Sequence, residues 1–219
     1  MRRNYNFDRL KEKESEILDK LLIYANSYKK NLDKDQVSYH QSYSSFINFF
    51  ESKSKSELNL DDIVIGMSFT YSWMPTMLTI DILDGQGSRL VSVLNKVHLS
   101  KEYLNENDLR DLKKAMNNSL VGSSKLLHFI SPEIYPILDS RVMEFLFGGS
   151  SYERITQPQF YLDYVEYMRN LAKHPVVTNI TKKLNLELES NLSSLRALEF
   201  SMYEEAVNRA KLGKEKKTG

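Results

Sequence analysis

Apolar residues recur every three or four positions along most of the chain, and this spacing predicts a helical protein. Residues 7–31 carry apolar side chains separated by charged ones, as in an amphipathic helix. Asn105 or Asn107 is a good cap for a helix that follows them. Further helices are predicted at residues 37–50, 60–72, 76–83, 125–130, 141–147, 159–171 and 192–211.

Residues 60–72 fit two kinds of secondary structure. The β-branched residues Ile63–Ile65 would suit a strand. Asp61 and Asp62 are residues that favour the start of a helix, and we therefore expect a helix. A turn is predicted at Gly85–Gly87, because glycines on both sides of one residue interrupt regular structure.

Two polar segments divide the predicted helices. Ser52–Ser56 alternates serine and lysine, and this pattern predicts a solvated linker. We expect the chain to form a single compact unit, in which the linker could separate two lobes at residues 1–56 and 57–219. Leu120–Ser123 is predicted to be a tight turn between helices. The expected fold is therefore all-α: a two-lobed helical bundle with a central helix–hairpin–helix.

Composition and charge narrow the classes of protein. The chain has 219 residues and no cysteine, which excludes disulfides, thiolate metal sites and cysteine-bound iron–sulfur clusters. No apolar run reaches the roughly 18–20 residues needed to cross a bilayer. The charged residues that follow the first arginines do not resemble a secretory signal. We therefore expect a cytoplasmic protein with no membrane partner.

The charge balance and the histidines limit the possible ligands. A formal net charge of +1 argues against bulk binding of phosphates, but it leaves room for a small site built from backbone N–H groups. His40, His98 and His174 form no motif with carboxylates at metal-ligand spacing. We predict no metal and no cofactor, and the sequence does not set the oligomeric state.

The segment from residue 120 to residue 141 carries the candidate chemistry. Gly122, followed by Ser123 and Ser124, is expected to need a special backbone conformation and to direct N–H groups toward an anion. Lys125 follows at a helix start, where the dipole disfavours its charge, and a neutral lysine is a nucleophile that can form a Schiff base. Asp139 precedes a helix that it can cap.

Two stretches resemble the helix–hairpin–helix DNA glycosylase superfamily, most nearly its 8-oxoguanine branch without an iron–sulfur cluster. The first runs from Leu120 to Lys125, and it is similar to the family's Leu-Pro-Gly-Val-Gly hairpin with its following lysine. The second runs from Ile137 to Arg141, and it is similar to the family's Asp-X-His or Asp-X-Arg context. The resemblance covers residues 117–147, a minority of the chain.

The resemblance implies base excision in DNA repair, with DNA as the partner. The N–H groups of Gly122, Ser123 and Ser124 would hold a DNA phosphate, and the target nucleotide would be flipped out of the stack. Asp139 would stabilise positive charge on the sugar. Lys125 would displace the base and form a Schiff base, which would also permit lyase activity.

Departures from the family pattern leave one position open. Two serines stand between Gly122 and Lys125, where the family usually has one residue. Either Lys125 or Ser124 therefore occupies the position of the family's lysine. The interval from Lys125 to Asp139 is also shorter than usual in the family.

Each candidate also has a structural interpretation. Lys125 could be a surface lysine, and Asp139 could only cap its helix or pair with Arg141. Trp73 could stack on a flipped base, but buried aromatic packing is the preferred interpretation. His128 is interpreted as a hydrogen-bonded core residue that would support a base pocket, and Arg141 is a further candidate for that support.

Two further alternatives concern the C-terminal helix and the function. Arg196 and Glu199 could form an ion pair within their helix, or one of them could brace the central hairpin. A non-catalytic helix–hairpin–helix domain that binds DNA or a protein partner is the second function considered. The third is a small helical protein in which the turn at Gly122 is only structural.

Overall fold

The computed structural model describes residues 6–30, 34–74, 76–79, 86–149 and 155–218. All regular secondary structure in these residues is helical, which confirms the all-α prediction. The helices are α1 Phe7–Glu12, α2 Glu14–Ser27, α3 Lys34–Glu51, α4 Leu60–Ser72, α5 Gln86–His98, α6 Glu106–Ala115, α7 Leu120–Ile130, α8 Ser140–Phe147, α9 Pro158–Ala172, α10 Pro175–Leu188 and α11 Ser194–Thr218.

Short polar residues define where several helices begin. Asn59 accepts a hydrogen bond from the N–H of Asp62, and the Asp62 side chain accepts one from the N–H of Asn59. This capping box starts α4, so the helix predicted at residues 60–72 is confirmed against the strand. Asn105 and Asp108 form the same box at the start of α6.

The structure corrects several helix boundaries. The helix predicted at residues 7–31 is divided at Lys13, whose N–H donates to Leu10 O at 3.0 Å. Gln86 and Gly87 belong to α5 and not to a turn, while Gly85 lies outside the described residues. Residues 76–79 are not helical, and the rest of the short helix predicted at residues 76–83 lies outside the described residues.

The chain divides into two compact units. The first unit comprises Met1–Lys30, Pro136–Ile155 and Asp163–Gly219, and the second comprises Asn31–Tyr135 and Thr156–Leu162. Residues 31–56 therefore pack in the same unit as residues 57–135, which differs from a division at residue 56.

A different helix lies at the centre of each unit. In the second unit, α7 packs against α3, α4, α5 and α6, and ten of its eleven residues are buried. In the first unit, α11 packs against α2, α8 and α10. A helix that touches neighbours on several sides must be apolar around most of its circumference, and any polar residue on it then needs a hydrogen-bond partner. None of the helices in the described part of the chain is both long enough and apolar enough to cross a membrane.

Candidate functional site

The turn between α6 and α7 lies at Met116–Ser119, four residues earlier than predicted. Asn117 and Asn118 have φ values of 51° and 58°, in the left-handed region that asparagine tolerates better than most residues. Both asparagines are exposed. Ser119 then caps α7, because its side chain accepts a hydrogen bond from the N–H of Gly122 at 3.0 Å. The prediction of a tight turn at Leu120–Ser123 is therefore wrong.

Gly122, Ser123 and Ser124 are buried residues of α7. The N–H and the hydroxyl of Ser123 both donate to Ser119 O, at 3.0 and 2.8 Å. The Ser124 hydroxyl donates to a carbonyl one turn earlier on α7, at 2.8 Å. These groups complete the helix itself, and such bonds are what allows serine inside a buried helix. Binding of a DNA phosphate by the three residues stays a prediction, and the structure gives it no support.

Gly122 is a glycine because of packing and not because of its backbone conformation. A Cβ atom at this position would lie 3.2 Å from Tyr71 Oη and 3.3 Å from the ring of Tyr71. The Tyr71 hydroxyl donates to Met116 O at 2.7 Å, so the ring crosses α7 to reach the α6–α7 turn. The expectation of a special backbone conformation at Gly122 is wrong, because the residue is helical.

Lys125 lies in the middle of α7 and is 8% exposed. Its Nζ donates to Trp73 O at 3.1 Å. Trp73 is the C-terminal cap of α4, where helix carbonyls lack partners and the helix dipole favours a cation. The alternative of a surface lysine is therefore wrong. The structure instead shows a buried amine bound at the end of a helix.

Trp73 belongs to a buried aromatic cluster beside Lys125. Its Nε1 donates to Ser42 Oγ at 2.9 Å, and the residue is only 8% exposed. The ring contacts side chains from α3 and α7, with centroid distances between 5.1 and 6.0 Å: Tyr39, Tyr43, Phe46 and Phe129. The preferred interpretation of Trp73 as buried aromatic packing is confirmed.

His128 lies one turn after Lys125 on α7 and is fully buried. Its Nδ1 lies 2.7 Å from Tyr135 O, and its Nε2 lies 3.0 Å from Tyr43 Oη. A carbonyl only accepts hydrogen bonds, so Nδ1 carries the proton. The Tyr43 hydroxyl is the hydrogen-bond partner of Nε2. The prediction of a hydrogen-bonded core histidine is confirmed, and support of a base pocket stays a prediction.

Asp139 caps α8, as the sequence predicted. Its Oδ1 accepts a hydrogen bond from the N–H of Arg141 at 2.8 Å, and its side chain is half-buried. The Arg141 guanidinium pairs with Glu144 at 2.7 Å, and this bond is the largest cause of a raised pKa at Arg141. One carboxylate oxygen of Asp139 therefore has a structural role, and this role is compatible with further chemistry.

Glu199 is a buried carboxyl group near Asp139 that was not predicted as a site residue. It lies on α11, is 1% exposed, and accepts a hydrogen bond from Ile137 N at 2.5 Å. Arg196 Nη1 lies 3.3 Å from its other oxygen. Burial raises the pKa of Glu199 to about 8, although Arg196 acts in the opposite direction.

The sequence carries a signal for this role of Glu199. The carboxylate stands among apolar residues on a helix whose buried face includes its neighbours Ala197, Leu198 and Phe200. The ion pair with Arg196, which was one of the two alternatives, is present. Glu199 also holds Ile137, which belongs to the segment that leads into Asp139.

Lys125 belongs to the second unit, whereas Asp139 belongs to the first. That both face one cleft stays a prediction. Among the described residues, no three histidine, aspartate or glutamate side chains gather as they would around a metal ion. Comparison of the chain with models of protein families, with curated proteins and with solved structures found no match. Any function must therefore be argued from the residues themselves.

Proposed function

We propose that this chain is a DNA glycosylase-like protein that excises a damaged or modified base, with Lys125 as nucleophile and Asp139 as electrostatic partner. The supporting observation is the position of Lys125: a buried amine on the helix that follows the α6–α7 turn. Lysine is almost never buried without a specific reason. Its long stem brings the amine to the end of α4, beside aromatic rings.

The proposed reaction requires that Lys125 first release the proton that the C-terminal end of α4 stabilises. The amine nitrogen attacks C1′ of the flipped nucleotide, the bond from C1′ to the base breaks, and the base leaves with the bonding electrons and takes up a proton. The carboxylate of Asp139 opposes the positive charge that develops on the sugar. Loss of the amine proton and opening of the sugar ring give the Schiff base.

The contact with the DNA backbone is assigned differently from the sequence-based prediction. The turn at Met116–Ser119 exposes Asn118, and it precedes the N–H groups of Leu120 and Val121 at the start of α7. The Asn117 side chain is bonded to Thr79 N and Met77 O and holds the turn in place. Lys114, also exposed, lies just before the turn. These groups replace Gly122, Ser123 and Ser124 as the proposed phosphate contact.

Borohydride trapping on duplex DNA with an abasic site tests the nucleophile. Lys125→Met keeps much of the apolar stem and removes the amine, and Lys182→Met is the matched control on an exposed lysine of α10, outside the proposed DNA contact. We expect a covalent complex with the wild type and with Lys182→Met, and none with Lys125→Met. Ser124→Ala is expected to leave trapping intact, which would assign the family's lysine position to Lys125. Trapping by a folded Lys125→Met protein would contradict the proposal.

A non-catalytic binding module is the second candidate, and one contact favours it. The bond from Lys125 to Trp73 O joins α7 to the end of α4, and this contact stabilises the unit without any chemistry. This candidate predicts that abasic duplex DNA binds without a borohydride-trapped complex. Asn118→Asp would then weaken binding, because a negative charge would face the phosphates.

A further inference from the structure

The backbone just before Asp139 is held by side chains on both of its polar groups. The Ile137 N–H donates to Glu199 Oε1 at 2.5 Å, and Ile137 O accepts a hydrogen bond from Tyr164 Oη at 3.0 Å. Glu199 comes from α11 and Tyr164 from α9, so two helices fix one peptide segment. Ile137 and Leu138 are themselves buried.

This arrangement controls the direction of the chain at Asp139. Ile137 lies two residues before Asp139, which adopts extended φ and ψ values of −127° and 145° as the cap of α8. Extended residues advance the chain by about 3.3 Å each. A displacement of the Ile137 peptide would therefore be passed on to the Asp139 carboxylate. The Asp139 side chain is held by the N–H of Arg141, which donates to Oδ1 at 2.8 Å.

The two carboxyl groups also act on each other electrostatically. Burial is the main cause of the raised pKa of Glu199, and the negative charge of Asp139 raises this pKa further. Arg196, on the same helix, is the main charge that lowers it.

We propose that Glu199 is a positioning residue for Asp139: its carboxyl fixes the Ile137 peptide and thereby the place of the Asp139 carboxylate. The catalytic meaning of this placement rests on the proposed function, whereas the placement itself does not. Glu199 does not touch the reacting atoms in this proposal. Its buried oxygen is a backbone acceptor that no apolar residue could replace.

The test compares Glu199→Gln, which keeps an acceptor oxygen, with Glu199→Met, which removes it. Glu205→Met, on the same helix, is the control. Hydrogen exchange at the Ile137 amide is expected to be at least about tenfold faster in Glu199→Met and close to wild type in Glu199→Gln. The ¹³C signal of the Asp139 carboxyl should move in Glu199→Met and be restored in Glu199→Gln. Unchanged exchange and an unchanged signal in Glu199→Met would overturn the proposal.

A second readout covers the case in which Glu199→Met does not fold. In the wild type, the Asp139 carboxyl signal should show an extra inflection where Glu199 titrates, and Glu199→Gln should abolish this inflection. Its persistence in Glu199→Gln would count against the proposal. The spectroscopic measurements need no enzymatic activity. If the wild-type protein forms no trapped complex, the proposed function alone is refuted. If a folded Glu199→Met variant traps DNA as fast as the wild type, only the positioning role is refuted.

Discussion

Raising the pH from 6 to 8 is expected to destabilise the protein through Glu199. The pKa of this carboxyl is about 8 in the folded protein, whereas its ordinary value is 4.5. A group with a raised folded-state pKa contributes stability that is fully present below the ordinary pKa and is lost as the pH rises through the folded-state pKa. The folded protein holds a proton on Glu199 that the unfolded chain has already released.

The size of this effect follows from the two pKa values. One proton of difference corresponds to about 1.4 kcal/mol per pH unit. With a folded-state pKa of about 8, the free energy of unfolding should fall by about 2 kcal/mol between pH 6 and pH 8. Most of the loss comes before pH 8, because the slope decreases as the folded protein itself begins to release the proton.

Urea unfolding of the wild type and of Glu199→Gln at several pH values between 6 and 9 measures this difference. The glutamine keeps an acceptor for the Ile137 N–H and cannot ionise, so its stability should fall less with pH than that of the wild type. Glu205→Gln is the control, because Glu205 lies on the same helix and pairs with Arg209 at 3.0 Å. Parallel pH curves for the wild type and Glu199→Gln would refute the reasoning.

Three further predictions concern the cap, the packing and the buried histidine. Asp139→Asn should leave thermal stability nearly unchanged, because asparagine caps a helix as well as aspartate, whereas Asp139→Ala should lower the free energy of unfolding by about 1 kcal/mol. If Asp139 acts in catalysis, borohydride trapping should fall in both variants. Gly66→Ala should lower the free energy of unfolding in urea by about 1–3 kcal/mol, although alanine is the better helix former, because the new Cβ would lie 2.7 Å from Phe50 Cζ. Equal or higher stability would contradict this packing. Tyr43→Phe should lower the free energy of unfolding by about 1–3 kcal/mol in the same assay, because His128 Nε2 would lose its buried hydrogen-bond partner. An unchanged free energy of unfolding would contradict the assigned hydrogen bond.

Some helix ends were predictable, because their signals are local. Asn105, one of the two predicted caps, starts α6 by the reach of its side chain to N–H groups two or three residues ahead. Asn59 starts α4 in the same way, although only Asp61 and Asp62 were predicted as helix-start residues there. Gly148 marks the end of α8, and its φ of 72° is a conformation that glycine adopts without strain. The start of α10 has a signal of the same kind that was overlooked: a proline at the first helical position, Pro175, after the capping His174.

Sequence pattern alone misplaces the α6–α7 turn, because glycine is a strong turn signal even at a position where it serves packing. Gly122 looked like the turn residue, but it serves to admit the ring of Tyr71. That contact joins residues far apart in the sequence, so no local pattern reveals it. The consecutive Asn117 and Asn118 are the better local signal, because among residues other than glycine asparagine most readily adopts the left-handed conformation.

The surroundings of the candidate residues could not be predicted from the sequence. Lys125 and Asp139 are proposed from local sequence features and a short resemblance, and only the cap made by Asp139 is confirmed. The burial of Lys125 and Glu199 could not be predicted, because it depends on how many helices surround α7 and α11. An isolated charged residue in an apolar stretch of helix indicates that some partner exists without identifying it.

The interleaving of the two units along the chain has a consequence for synthesis on the ribosome. The second unit consists almost entirely of the continuous stretch Asn31–Tyr135, so most of its contacts can form while later residues are still being translated. The first unit combines Met1–Lys30 with the last part of the chain, and α2 packs against α10 and α11. The apolar face of α2 must therefore stay unburied by these partners for most of translation. Premature release of the chain would leave that face exposed, and α2 is the segment where binding of a chaperone to the nascent chain is most expected.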